Sequence, residues 1–363
     1  MSIYKKNKLV GLDIGSHSIK LVEIDHHRKG MRLKNIGLIN LPQDAIVEGS
    51  IKDKKIVSSA IKNLFMNLNV KNKNIAISIS GFSVITKKIV LKDIYDSEIE
   101  DTVRDEAEQY IPFDINEVNI DFDLLPDMDN LEGIAGNKNE IEDSSRIEVM
   151  LVAAKKDIIN EYVSLLRDTG LNPGVLDVDA FALQNAFEIS TEELDGCCAL
   201  VNVGADELGI NVVKNGTSLF IRDSSFGGSQ ITAEIMSKFN VDFEEAEKIK
   251  LKGINVDKQK ESLDEQFTSV ISGWVKEIKR ALDFVASTYP DEIIGNIIVC
   301  GGSCRVPGFQ EYLELETSIQ VEELNPFRGL IIDESKFDVK YLKHIAPQSG
   351  VAVGLALRRV GDK

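Results

Sequence analysis

Apolar and polar positions alternate from the start of the chain. LVGLDI at residues 9–14 is apolar apart from Asp13, small and polar residues follow, and Ile19, Leu21 and Ile24 mark a second strand. This spacing predicts a hairpin. The pattern returns in ALVNVGADELGINVV from Ala199, which turns at Gly204 and leaves through Leu208, Ile210, Val212 and Val213. Gly15 matches Gly204, so one hairpin is used twice. The repetition predicts two related lobes, at residues 1–195 and 196–363.

Between the hairpins, Ile56, Val57, Ala60, Ile61, Leu64 and Leu68 recur at helical spacing, predicting a helix over about residues 54–68. NIAISISGFSVITKKIVL reads as two strands meeting near Gly81. A helix follows over about residues 97–110, stopped by Pro112, and then the strand NIDFDLLP. Residues 127–145 are acidic, contain Gly and Asn and are poor in apolar positions, which predicts a mobile loop. IEVMLVAA reads as a buried strand, KKDIINEYVSLLRDTG as a helix closed by Gly170, and GLNPGVLDVDAFAL as a turn, strand and helix start. Strand, strand, helix, strand, strand, helix describes a small α+β unit over about residues 73–173.

The second lobe begins near Gly196. Its hairpin leads to a Gly227-Gly228 turn into a helix, the charged AEKIKLKG and a long amphipathic helix over about residues 263–288. IIGNIIVCGGSCRVPGF then runs from a buried strand into Gly301 and Gly302, and glycines after such a strand let a ligand approach the backbone. IAPQSGVAVGLALRR reads as a helix over about residues 345–359. Its small residues Gly350, Ala352, Gly354 and Ala356 permit close packing where the lobes hinge.

Glycine-containing hairpin turns can aim backbone N–H groups at an anion. Two such turns facing each other across a cleft would grip a polyphosphate from both sides, which points to nucleotide binding.

With 363 residues the chain exceeds the usual limit of one core, and 43% hydrophobic residues supply two. A net charge of −17 argues against nonspecific binding to nucleic acid or to an anionic membrane. No run approaches the roughly 18 apolar residues that span a bilayer, and MSIYKKNKLVGLDIGS lacks the apolar region of a signal peptide, so a cytosolic location is expected. Four cysteines do not make a disulfide framework in a chain this long, and Cys197, Cys198 and Cys300 fall in or beside apolar strands as buried thiols. Cys300 and Cys304 bracket the glycine turn without the second pair or nearby His that a zinc site needs. His17, His26 and His27 fall in or near hairpin turns and are expected to be solvated, with His17 placed in the first turn where it could touch a ligand.

The two phosphate-type turns and the late glycine loop, in this order, resemble the actin-like ATPase superfamily. Within it the chain is similar to the PilM family of type IV pilus assembly proteins. The likeness rests on GLDIGSHSIKLVEI (11–24), EAEQYIPFDINEV (106–118), FGGSQITAEI (226–235), AEKIK (246–250) and GGSCRVPGF (301–309), with EAEQYIPF the more telling of PilM. It implies an α/β, two-lobed actin-like ATPase fold with a small α+β subdomain inserted in the first lobe for protein contacts. The cofactors implied are ATP or ADP with Mg²⁺. Gly15, Ser16, His17 and Ser18 then form the first phosphate turn, Asp13 holds the Mg²⁺ hydration shell, and Lys20 neutralises phosphate. Asn202, Gly204 and Ala205 form the second turn, with Asn202 replacing the family's acidic residue. Asn neither removes a proton nor lends charge to Mg²⁺, so slow hydrolysis at most is expected and no catalytic residue is assigned. Asp206 and Glu207 sit at the tip of that turn, where they could compensate for Asn202, although acids there are usually only solvated. Gly228 and Thr232 would lie near the ribose, Glu247 and Lys250 at the adenine and ribose edges, and Gly301, Gly302 and Ser303 on the opposite wall.

The resemblance also implies a cytoplasmic scaffold of the inner-membrane assembly platform behind twitching motility. It would dock the N-terminal cytosolic peptide of a PilN-like single-span membrane protein, with contacts extending to pilus motor ATPases and to self-association. It would meet the membrane only through that partner. Tyr110, Ile111 and Phe113, at a proline-broken helix end, are the candidate docking residues. Two alternatives are a filament-forming protein of the FtsA sort and a small-molecule kinase on the same fold. LALRRVGDK follows the hinge helix too soon for the membrane anchor of the first, and Asn202 weighs against the second.

Overall fold

A computed structural model describes residues 8–92, 99–125, 146–191, 196–252 and 257–361. The loop expected over residues 127–145 lies outside the described residues. The first lobe starts with β1 (Val10–Ile14), β2 (Ser18–His27) and β3 (Gly30–Asn40), an antiparallel meander, followed by the two-residue strands β4 (Ile46–Val47) and β5 (Ser50–Ile51). Every residue of β1 is buried, as its near-continuous apolar run requires of a central strand. Helix α1 (Lys54–Asn67) is N-capped by Asp53, whose side chain accepts from the N–H groups of Lys55 and Ile56, and buries Val57, Ala60, Ile61, Leu64 and Phe65.

Strand β6 (Asn74–Ile79) runs parallel to β1, and the chain then turns at Gly81, φ +68°, into β7 (Val84–Lys92). Helix α2 (Ile99–Tyr110), β8 (Val118–Leu124) and β9 (Arg146–Lys155) follow, then α3 (Lys156–Asp168), β10 (Asn172–Val178) and α4 (Asp179–Glu188). Strands β7, β9 and β8 form their own three-stranded antiparallel sheet. Its face is covered by Ile99, Val103 and Ala107 of α2.

The interval 73–173 takes in parts of two sheets. Its two ends belong to the first-lobe sheet, in which β10 lies parallel beside β6. Helix α3 packs Leu165 and Leu166 into the first-lobe core, Lys54 pairs with Asp168 at 2.7 Å, and Tyr162 donates to the carbonyl of Gly49. The separate sheet spans residues 84–155. Alternation marks a strand without naming its sheet, so the two strands meeting at Gly81 go to different sheets.

The second lobe contains β11 (Cys197–Val203), β12 (Leu208–Lys214) and β13 (Thr217–Ser224), then α5 (Gly228–Phe239), α6 (Phe243–Lys252) and α7 (Asp257–Thr288). Strand β14 (Ile294–Cys300), α8 (Phe309–Thr317), β15 (Gln320–Glu323), α9 (Val339–Ile345) and α10 (Gly350–Leu357) complete it. The two large sheets share one plan: β3-β2-β1-β6-β10 and β13-β12-β11-β14-β15, each a meander whose first strand is central and is extended by two parallel strands.

The hinge segment expected over 345–359 divides into the end of α9, a 3-10 turn at Pro347–Ser349 and α10. Helix α10 is wedged between the lobes, and its small residues are required there. A Cβ on Gly354 would lie 1.6 Å from the carbonyl oxygen of Ala182 in α4, and one on Gly11 2.2 Å from that of Ala352. Leu9, Ala182, Leu183, Leu200, Ile298, Val351 and Leu355 form one cluster, so the lobes share a core at this hinge.

Candidate functional site

The duplicated hairpins meet at an interlobe cleft of about 140 Å³. Their registers coincide: Asp13 pairs with Lys20 and Ile14 with Ile19, while Asn202 pairs with Gly209 and Val203 with Leu208. Each turn is closed the same way, by Gly15 N–H donating to Ser18 O at 3.2 Å and by Gly204 N–H donating to Glu207 O at 2.8 Å.

Asp13, Gly15, Ser16, His17 and Lys20 line the cleft from the first lobe, and Asn202, Gly204 and Ala205 face them from the second. Ser18 is buried in the turn itself. Lys20 turns inward to pair with Asp13 at 3.1 Å, and its ammonium lies 3.3 Å from where a Cβ on Gly15 would be. A side chain at 15 would therefore crowd the Lys20 ammonium. His17 reaches across to Phe243 of α6, with ring centroids 5.9 Å apart, and burial pushes its imidazole pKa down.

The glycine loops serve the protein's own packing first. Gly301 adopts φ +86°, and a Cβ there would lie 2.3 Å from Val203 O; one on Gly227 would lie 2.1 Å from Ala205 O. The second turn is fastened from behind: Gly228 N–H donates to Gly204 O at 3.0 Å, Ser229 N–H to Ala205 O at 2.8 Å, and Ser303 Oγ to Gly204 O at 2.8 Å. Gly302 differs. A Cβ there would meet only Gln348 at 3.9 Å, so of the two it is the glycine open to the cleft.

Gly228, Thr232, Glu247, Lys250 and Ser303 come together behind that turn. Lys250 Nζ donates to Glu247 at 2.6 Å, to Thr232 Oγ1 at 2.9 Å and to Gly228 O at 3.4 Å. Burial pushes the ammonium pKa of Lys250 down, and Glu247 opposes that shift. This pair braces the junction of α5 and α6, and neither residue lines the cleft of the two turns.

The sequence reading missed Asp179 and Asp223, carboxylates that the fold delivers from other elements. Asp179 opens α4 at the cleft, and burial, then the neighbouring Asp13, pushes its carboxyl up to about 7. Glu207, expected to be solvated, turns inward, where Ser80 Oγ of the first lobe donates to it at 3.1 Å. Asp223 of β13 accepts from Gly81 N–H at 3.0 Å and hydrogen-bonds Glu207. Burial raises both carboxyls, and for Glu207 the charge of Asp223 raises it further. These contacts tie the first-lobe loop after β6 to the second lobe. Asp179, at the strand-to-helix junction of LDVDAF, left the only local signal.

Among the described residues no three His, Cys, Asp or Glu side chains gather as a metal shell. Oxygen donors around one ammonium suit a hard, hydrated cation that takes part of its shell from phosphate. Asp13 and Asp179 would be the residues to hold its waters. Cys300 also lines the cleft as a buried thiol, its pKa pushed well up by burial.

A larger groove of about 720 Å³ lies between the small sheet and the first lobe. β8 and β10 form two of its walls, and among the described residues each pairs on one side only. Val152, Leu176, Val178 and Phe181 supply apolar lining. Tyr110, Ile111 and Phe113 lie elsewhere: Ile111 is in the core of the small sheet, Phe113 packs on that core beneath Lys155, and Tyr110 is exposed beside Lys87. Among the described residues no helix is long and apolar enough to cross a membrane.

Comparison with known proteins agrees with this architecture. A solved structure of a PilM–PilN type IV pilus biogenesis complex is similar over 97% of this chain and 98% of that one, with a TM-score of 0.82 and 26% identity. The ethanolamine utilization protein EutJ of Carboxydothermus hydrogenoformans shares the fold at a TM-score of 0.54 and 16% identity, over 97% of this chain and 89% of that one. The cell division protein FtsA of Enterococcus hirae is 23% identical over 344 residues, 84% of this chain and 75% of that protein. The fold is the two-lobed actin-like ATPase fold. The family model described as type IV pilus assembly protein PilM matches residues 11–360, and the chain belongs to that family.

Proposed function

We propose that this protein binds an adenine nucleotide with Mg²⁺ between its lobes and acts as a cytoplasmic scaffold of the type IV pilus assembly platform. It holds the cytosolic N-terminal segment of a PilN-like, single-span inner-membrane protein, and through it stays at the membrane. The observation that carries the nucleotide reading is the pair of register-matched turns on one cleft, with Lys20 at the first. The cleft's carboxylates outnumber that lysine, so a polyphosphate enters with its cation. Hydrolysis is slow, because Asn202 stands where a carboxylate would be needed.

The test is calorimetric titration with ATP and ADP, with and without Mg²⁺. Binding that requires Mg²⁺ and falls in Lys20→Ala supports the reading; binding indifferent to both contradicts it.

The partner reading is supported by the groove, by its two strand edges that are unpaired among the described residues and by the likeness to a protein solved as a PilM–PilN complex. An extended apolar peptide adds to such an edge through main-chain hydrogen bonds, with alternate side chains on the apolar lining. A synthetic partner peptide is expected to protect β8 and β10 from hydrogen exchange. Protection confined to the second lobe contradicts the assignment. The likeness to FtsA supports a second reading, in which copies of the chain self-associate, and sedimentation with Mg²⁺-ATP tests it.

A further inference from the structure

The cleft and the groove are built on the same two elements. Asp179 opens α4 in the cleft, while Phe181, Gln184 and Asn185, at three- and four-residue spacing on that helix, line the groove. The β12–β13 hairpin spans the same distance from the second lobe. Glu207 and Asp223 lie at its cleft end, and Gly216, Thr217 and Ser218 reach the groove.

A polar clamp joins the first-lobe helix to the second-lobe hairpin. Gln184 Nε2 donates to Gly216 O at 2.7 Å, and Gln184 Oε1 accepts from Ser218 Oγ at 2.7 Å and from Asn211 Nδ2 at 3.4 Å. Asn211 Nδ2 also donates to Ala180 O at 3.2 Å. Asn211 is only 1% exposed, and among the described residues its Oδ1 has no partner. A buried acceptor left without a donor is costly, so a re-pairing that gives Asn211 Oδ1 a donor would be favoured. Helix α4 itself has little room to give, because Ala182 packs against Gly354 and Leu183 against Gly350 of α10 with no space for a Cβ. A relative movement of the lobes would therefore be felt where the hairpin meets α4.

We infer that this Gln184–Asn211 clamp transmits the nucleotide state of the cleft to the partner groove. The inference rests on the nucleotide and docking readings above. Nucleotide drawn between the turns shifts the hairpin against α4, the clamp re-pairs, and the groove walls move with it. The coupling is reciprocal: a docked peptide changes nucleotide affinity by the factor by which nucleotide changes peptide affinity.

The test is hydrogen exchange of the full chain with and without Mg²⁺-AMPPNP, with nucleotide affinity measured by calorimetry on the same samples. In the unmodified protein, saturating nucleotide is expected to change exchange in β8 and β10 by about threefold or more. Asn211→Leu, which keeps the shape and removes the donor, is expected to bind AMPPNP within about threefold of the unmodified protein while the groove response falls below about half. Gln184→Ala loses the groove response in the same way and serves if Asn211→Leu does not fold. A groove response retained in the folded variants, or bound nucleotide with no response in the unmodified protein, overturns the inference. Absence of nucleotide binding, read separately by calorimetry, overturns the cleft reading and the inference with it.

Discussion

Asn202 stands in β11 where Asp13 stands in β1. Each precedes the glycine of its turn by two residues, and the registers place Asp13 opposite Lys20 and Asn202 opposite Gly209. The first turn thus carries a carboxylate and an ammonium 3.1 Å apart, whereas the second presents a neutral amide beside a glycine. An amide cannot take up the proton of an attacking water.

That asymmetry bears on rate more than on affinity. Single-turnover hydrolysis of ATP by the unmodified protein is expected to be slow, and Asn202→Asp to speed it by about tenfold or more, a modest figure for a gained base. Rapid turnover without the substitution would show that another group does the work.

Removing the carboxylate of Asp13 acts on the ligand. Asp13→Ala is expected to weaken Mg²⁺-nucleotide binding by about tenfold or more, one lost charge-assisted contact being worth roughly 1.5–3 kcal/mol. Thermal stability should change little, because the deletion also relieves repulsion on Asp179. A globally unfolded variant, or unchanged affinity, would make Asp13 a turn residue only.

The carboxylate cluster makes stability depend on pH. Asp179 titrates near 7 in the folded chain against a usual value of 3.8, so the folded state holds more protons than the unfolded state between these values. The stability that goes with the protonated form is lost as pH rises through that window. Chemical denaturation from pH 4 to 7 is expected to show this decline without nucleotide or metal, flattened in Asp179→Asn. A decline identical in both proteins would assign it to other groups.

The hinge is intolerant of added volume. Gly354→Val should destabilise the protein by at least about 1–3 kcal/mol, because its Cβ would meet the Ala182 carbonyl at 1.6 Å and force α10 away from α4. A melting temperature equal to that of the unmodified protein would mean that the interlobe packing is looser than described.

What could be read in the sequence was local. The hairpin duplication is carried by apolar alternation and by glycines that close identical turns, so both turns, Asp13 and the Asn202 exception were visible as strings of residues. The small residues of α10 likewise announced close packing. Asp179, Glu207 and Asp223 were not visible as a group, because they converge only when the two lobes meet, and an acid at a hairpin tip looks solvated until Ser80 of the other lobe is placed against it. The glycines of FGGS and CGGS were legible as close approaches, though spacing could not say that Ala205 and Val203, and not a ligand, do the approaching at Gly227 and Gly301. The sheet membership of β6 and β10, inside the bounds 73–173, was not legible for a related reason: long-range pairing with no local signature assigns them to the first-lobe sheet.

The most direct measurement is a crystal structure of the full chain grown with Mg²⁺-AMPPNP. The triphosphate is expected between the turn of residues 15–18 and the turn of residues 204–207, with Lys20 on phosphate and the Mg²⁺ waters on Asp13 and Asp179. A nucleotide bound elsewhere, or an empty cleft at saturating nucleotide, would contradict the account.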